Sequence, residues 1–408
     1  MNYNFDEIID RRNTNSISFE SWRNTLGERK NEKFAIPDDE FIRMWVADMD
    51  FATPIEIRNA IQKRLDEKIL GYSTIFDPEY FNILESWFST RYHYRVIKEE
   101  IVLAPGIVPA LNRLVPFLLR ENENILINTP SYAPFKNAGD LHDKKVYYSP
   151  LKNENGFYSL DVEDIKRQLD DPEKNIQLFI FCNPHNPTGR VWTENELSTI
   201  AEICTKRNIW LISDEIHCDL VRCQQTFTSM HRILPKYPQL IVCTAPSKTF
   251  NMAGNLHSHV IIKDDVVREK YQKMYFEVYS PLSIAATKAA YQNGERWLEE
   301  LKRYLDETFL HIQKMISEEL PEAVFRIPEA TYLGWIDFSA YHDIFEASET
   351  LTYFFAKNAG VIVEGGEAFV DNAQFHIRIN IASPRSVVIN GMQKIIAAIR
   401  NKQENKNI

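Results

Sequence analysis

Leu240-Ile241-Val242-Cys243-Thr244-Ala245-Pro246-Ser247-Lys248-Thr249-Phe250-Asn251 is an apolar run that stops at a Ser/Thr/Pro turn carrying one lysine. A short apolar run rich in β-branched residues suits a strand buried on both faces of a parallel sheet. Two upstream runs end in the same way. Phe179-Ile180-Phe181-Cys182 leads into Asn183-Pro184-His185-Asn186-Pro187-Thr188-Gly189, and Trp210-Leu211-Ile212-Ser213 leads into Asp214-Glu215-Ile216-His217. An amide, a carboxylate, an imidazole and an amine thus stand at the C-terminal ends of predicted strands. That is where open α/β sheets bind ligands.

Working outward, further strands are predicted at Ile101 to Leu103, Ile125 to Asn128 and His259 to Ile262, with helices between them. Thr193 and Glu196 form a capping box for one such helix, and Asp77-Pro78 starts another. Thr53-Pro54-Ile55-Glu56 reads as a second capping box, opening a helix to about Ile69. The alternation predicts βαβ units and a mostly parallel sheet flanked by helices. From about Pro281 the pattern changes. Charged helices run from Leu282 to Glu319 with a break at Gly294. Short strands at Gly334 to Phe338 and Phe375 to Ile381, a helix near Glu346 to Asn358 and a last helix capped by Ser383-Pro384 follow. The expected division is an N-terminal arm with part of a small domain at 1–50, a large domain at 51–290 and an α+β small domain at 291–408. The tail from Asn401 is expected to fray.

Composition narrows the function. At 408 residues the chain exceeds what one core usually serves. A formal charge of -10 argues against nucleic acid as a main partner. No apolar run approaches a membrane span, and the first residues lack the basic and apolar regions of a signal peptide. The five cysteines form no C-x-x-C pair and read as reduced core residues of a cytoplasmic protein. His217, Cys218 and Cys223 lie close in sequence, but no metal site is expected.

The residues at the strand ends match the needs of pyridoxal 5'-phosphate (PLP). Lys248 supplies an amine for the cofactor's aldehyde carbon, and Asp214 an anion for the pyridine nitrogen. Asp214 also suits a helix N-cap, but the neighbouring groups favour the cofactor role. The Asn186 amide, with His217 beside it, suits the phenolic oxygen. Tyr132, after the strand at Ile125, presents an aromatic face for the ring. The backbone amides of Gly106, Ile107 and Val108 open a helix and suit a phosphate, with Ser247 as a further donor. Arg378, in the otherwise apolar Phe375-His376-Ile377-Arg378-Ile379-Asn380, has the fork that binds a substrate carboxylate.

With these residues assembled, the chain resembles the fold-type I PLP enzymes of the aspartate aminotransferase superfamily. Within it the chain is most similar to the cystalysin-like group of bacterial cystathionine β-lyases and cysteine C–S lyases. Met44-Trp45-Val46-Ala47-Asp48-Met49-Asp50-Phe51, the stretches around Asn186, Asp214 and Lys248, and Thr331 to Asp337 carry the resemblance, which runs from about residue 3 to 400. It implies a homodimer in which Tyr72 reaches the partner's cofactor phosphate. It also implies that the arm at Val46 and Ala47 closes over the substrate. The implied reaction is α,β-elimination from L-cystathionine and related cysteine S-conjugates, giving a thiol, pyruvate and ammonia. An aminotransferase using the same residues is the alternative, followed by a PLP-binding regulatory protein.

The chain departs from the family pattern in three places. Leu256 and His257 stand where the superfamily has a further phosphate-binding arginine, which the lyase group also commonly lacks. Asn255-Leu256-His257-Ser258-His259 is unusually polar. Phe369-Val370-Asp371-Asn372-Ala373-Gln374 lacks the glycines usual before the carboxylate-binding arginine.

Overall fold

The computed structural model describes residues 3–274 and 278–406. A seven-stranded sheet organises the first part of the chain. Its strands are β1 (Ile101–Ala104), β2 (Asn124–Thr129), β3 (Val146–Pro150), β4 (Ile176–Cys182), β5 (Trp210–Asp214), β6 (Leu240–Thr244) and β7 (Ser258–Ile262). They lie in the order β1-β7-β6-β5-β4-β2-β3. All pairings are parallel except those of β7, which runs antiparallel to both β6 and β1.

Period-2 alternation explains why the runs are wholly apolar. Leu126, Phe179, Phe181, Leu211 and Val242 enter the core on one face of the sheet. Ile125, Ile127, Leu178, Ile180, Ile212 and Ile241 enter the core on the other. Helices cover both faces. They include α1 (Ile55–Asp66) and α2 (Pro78–Tyr92) on the first, and α3 (Ile107–Leu118) on the second. The helix α4 (Glu194–Arg207) has the predicted capping box, complete in both directions.

The predicted charged helices are α5 (Pro281–Asn293) and α6 (Glu295–Glu319), with the break at Gly294 as expected. A Cβ there would lie 2.4 Å from the Phe250 ring, so the close approach requires glycine. A second sheet follows, with β8 (Val324–Phe325), β9 (Leu333–Asp337), β10 (Glu364–Gly365) and β11 (His376–Asn380) in the antiparallel order β8-β9-β11-β10. The helices α7 (Leu351–Ala359) and α8 (Arg385–Lys406) accompany it. Among the described residues no helix is long and apolar enough to cross a membrane.

Several local expectations are corrected. Thr53 does not cap α1: its hydroxyl donates to the Asn251 carbonyl at 2.9 Å, and Glu56 accepts from the Tyr3 hydroxyl at 2.7 Å. Ser383 likewise spends its hydroxyl on Asp50 rather than on a cap. A cap would accept from a helix N–H; in both cases the hydroxyl is instead engaged by a tertiary acceptor. Residues 346–350 stay outside α7, whose cap is Thr350. The polar tail is helical as far as Lys406, whose amine donates to Asp343 at 2.6 Å. All five cysteines are free, but Cys223 is exposed rather than in the core. The edge strand β3 is a further addition, because Val146, Tyr147 and Tyr148 are only half-buried and lack the continuous apolar signature of the central strands.

Candidate functional site

Parallel register brings the predicted groups together. Cys182, the last residue of β4, lies opposite Asp214, the last of β5, and Asp214 lies opposite Cys243 of β6. The three loops that follow therefore start at one level. With the arm and β11 they enclose a cavity of about 430 Å³. Every residue predicted from the sequence lines it except Tyr72: Lys248 and Ser247, Asp214 and His217, Asn186, Tyr132, Gly106 with Ile107 and Val108, Arg378, and Val46 with Ala47. Tyr72 is 93% exposed, on a segment that also exposes Ile69, Leu70 and Phe76.

Lys248 sits on a one-turn helix, Pro246–Thr249, directly after β6. Its Nζ donates to the Ala47 carbonyl at 2.6 Å. Burial lowers this amine to about 8, and the Arg378 charge pushes the same way against the carboxylates of Asp48, Asp214 and Glu364. Asp214 is buried, and burial raises its carboxyl to about 7, opposed by the Ile216 N–H and the Lys248 charge. His217 is held neutral by burial and by the nearby Lys248 and Arg378 charges, with its pKa lowered to about 3. Its Nδ1 is buried without a partner.

Arg378 is 3% exposed on β11. Its Nη1 donates to the Asn186 Oδ1 at 2.9 Å, and its Nη2 contacts Glu364 and the Trp45 carbonyl. Burial raises the Glu364 carboxyl above its ordinary value, against the pull of Arg378. The arm is fastened at three successive carbonyls. The Asn380 amide donates to Val46 and Asp48 at 2.5 Å each, and the Tyr332 hydroxyl donates to Ala47 at 2.8 Å. From outside, the Arg11 guanidinium reaches the Asp48 and Asp50 carboxylates. Tyr132 is tied in by strand pairing with Phe369, whose ring meets Trp335 edge to face at 5.0 Å between centroids.

Glu364, Asn380 and Tyr332 were not singled out from the sequence. The available signals were modest: a lone acid in Val363-Glu364-Gly365-Gly366, and an amide two residues after Arg378, hence on the same face of the strand.

The donor set suits PLP. A buried carboxylate with a raised pKa calls for a cationic partner, which a protonated pyridine nitrogen is. The unpartnered His217 Nδ1 calls for a polar neighbour. The cavity has the volume of a small-molecule site, with a helix N-terminus at one end.

Known proteins share this fold and sequence pattern along nearly the whole chain. The profile of the aminotransferase class I and II family matches residues 39–395. Cystathionine β-lyase PatB of Bacillus subtilis is 32% identical over 401 residues, covering 97% of this chain and 100% of its own. The PLP-bound C–S lyase from Staphylococcus hominis superposes with a TM-score of 0.93 at 46% identity, covering 98% of each chain. Cystalysin from Treponema denticola, a structure containing PLP, superposes with a TM-score of 0.90 at 30% identity, covering 98% of this chain and 100% of its own.

Proposed function

This chain belongs to the aminotransferase class I and II family, and from that membership we propose a PLP-dependent C–S β-lyase that cleaves L-cystathionine and related cysteine S-conjugates to a thiol, pyruvate and ammonia. The observation that carries the reading is the convergence of Lys248, Asp214 and Arg378 on one cavity in a chain with C–S lyase relatives over its full length.

When bound, PLP supplies an electron-accepting ring that lets the Cα–H and Cβ–S bonds break in turn. Arg378 binds the substrate α-carboxylate and thereby fixes the direction of the Cα–H bond. The Lys248 amine would take the Cα proton as general base, a role that its lowered pKa favours. Asp214 would hold the proton on the ring nitrogen. Asn186 and His217 would hold the phenolic oxygen, and Tyr132 would support the ring. The amides of Gly106, Ile107 and Val108, with Ser247, would hold the phosphate. The arm at Val46 and Ala47 covers the substrate and excludes water.

The active unit in this proposal is a cytoplasmic homodimer with Tyr72 contributed across the interface, which its exposure supports. The large domain is taken as residues 51–290. The small domain combines the 1–50 arm with 291–408, a division supported by the separate four-stranded sheet. The deciding experiment is pyruvate release from L-cystathionine by the PLP-loaded protein without added keto acid. Multiple turnovers with matching thiol release support the lyase. Amino-group transfer only after a keto acid is supplied overturns it in favour of an aminotransferase.

A further inference from the structure

The polar stretch after Lys248 is organised around one phenol. His257, the residue before β7, and His259, its second residue, are alternate residues whose side chains meet on one side of the chain. The Tyr80 hydroxyl of α2 lies 2.7 Å from Nε2 of His257 and 2.7 Å from Nε2 of His259. All three side chains are buried, at 1%, 4% and 1% exposure for Tyr80, His257 and His259. Desolvation favours the neutral form of both imidazoles.

A phenol has one proton, so Tyr80 donates to one imidazole and accepts from the other. The direction follows from His259, whose Nδ1 is buried with no partner. A buried N–H without an acceptor is rarer than an unused lone pair. His259 therefore leaves Nδ1 bare and donates from Nε2 to Tyr80. Tyr80 donates to Nε2 of His257. His257 then keeps its single proton on Nδ1.

The register says where His257 stands. Ser258 pairs with Ala104 in the antiparallel β7/β1 ladder. One step further places His257 beside Pro105, in the turn that opens α3 at Gly106. His257 lines the same cavity as Gly106, Ile107 and Ser247.

We propose that the chain His259–Tyr80–His257 fixes His257 as its Nδ1–H tautomer, and that this N–H is a further hydrogen-bond donor to the PLP phosphate. The proposal rests on the PLP reading above. It assigns a positioning task to Tyr80 and His259, and a direct contact to His257 where this chain has no arginine. A neutral donor also adds no fixed positive charge beside Lys248, which Arg378 already disfavours as an ammonium.

The test is a titration of the full chain with PLP and, separately, with pyridoxal, which lacks the phosphate. Both are followed by the absorbance of the Lys248 adduct. His257→Ala should raise the dissociation constant for PLP by about ten- to a hundredfold and leave that for pyridoxal within about twofold. His257→Asn, whose amide N–H lies near the position of Nδ1–H, should recover most of the loss. Tyr80→Phe keeps the ring but drops the lock, and should weaken PLP alone by about three- to tenfold. Equal losses for PLP and pyridoxal, or no loss for either, would overturn the proposal. Should His257→Ala fail to fold, the same comparison in Tyr80→Phe decides. Because the readout is cofactor binding, an absence of lyase turnover sinks the functional reading without touching this one.

Discussion

Glu364 and Arg378 stand opposite each other in the register of β10 and β11, and their side chains form an ion pair inside the cavity. The guanidinium proposed to hold the substrate carboxylate therefore already has a carboxylate partner. An incoming amino acid must share Arg378 with Glu364 or displace it. Glu364→Gln keeps the hydrogen-bonding shape and removes the competing charge. KM for L-cystathionine should fall by about three- to tenfold in this variant. The sign with pH follows from the raised Glu364 carboxyl. As pH falls through its pKa, Glu364 becomes neutral and releases Arg378, so the wild-type KM should approach that of the variant. A pH series of KM in both proteins checks this; parallel profiles would refute the competition. Arg378→Ala, by contrast, should raise KM by at least about a hundredfold, the usual scale for losing a buried two-pronged contact.

Lys248 must be neutral to bond the cofactor. In the cofactor-free protein its amine titrates at about 8, lowered mainly by burial. The rate of PLP uptake should therefore rise about tenfold per pH unit up to about 8 and then level off. Stopped-flow absorbance gives the profile, and a flat profile between pH 6 and 8 would contradict it. Lys248→Ala should lose at least about a thousandfold in pyruvate formation while still folding. Lys248→Arg should not rescue it, because a guanidinium stays protonated.

Much of this site was legible because its residues sit where regular structure ends. Lys248, Asp214 and Asn186 follow apolar runs, and a parallel sheet with aligned strand ends leaves them little choice but to meet. Glu364 was not legible for the opposite reason. Its strand is two residues long, and its partner Arg378 is recognisable only through a register that no local pattern specifies. The caps show the same limit: Thr193 behaves as its neighbours predict, whereas Thr53 and Ser383 turn to Asn251 and Asp50, far away in sequence. The place of β7 was also hidden, since an antiparallel strand buried on both faces has the same apolar signature as a parallel one.

Asp214 should change sign as a stability determinant when the cofactor binds. Without PLP its carboxyl is raised by burial to about 7. A raised folded-state pKa contributes stability that is complete below the unfolded value, near 4, and is lost as pH rises through about 7. Cofactor-free Asp214→Asn should thus exceed the wild type by roughly 2–4 kcal/mol at pH 8 and converge with it toward pH 4. With PLP present the ordering should invert at pH 8, because only the carboxylate pairs with a cationic ring nitrogen. Thermal unfolding of both proteins at pH 5 and pH 8, with and without PLP, tests the inversion. A variant that stays more stable than the wild type at pH 8 with PLP bound would remove Asp214 from the cofactor's partners.

Tyr72 offers a test that depends on assembly. It is 93% exposed and lies outside the cavity, on a segment that also exposes Ile69, Leu70 and Phe76. A run of large apolar side chains left in water is the mark of a surface that another molecule covers. If a second copy covers it and Tyr72 enters that copy's site, defects at Tyr72 and Lys248 belong to different chains of one site. Tyr72→Ala and Lys248→Ala proteins, each nearly inactive alone, should then complement when their chains are mixed. Random exchange makes half of the dimers hybrid, each with one intact site, so activity should recover to about a quarter of wild type. Were Tyr72 to serve its own chain, every site in the hybrid would carry one of the two defects and mixing would restore nothing.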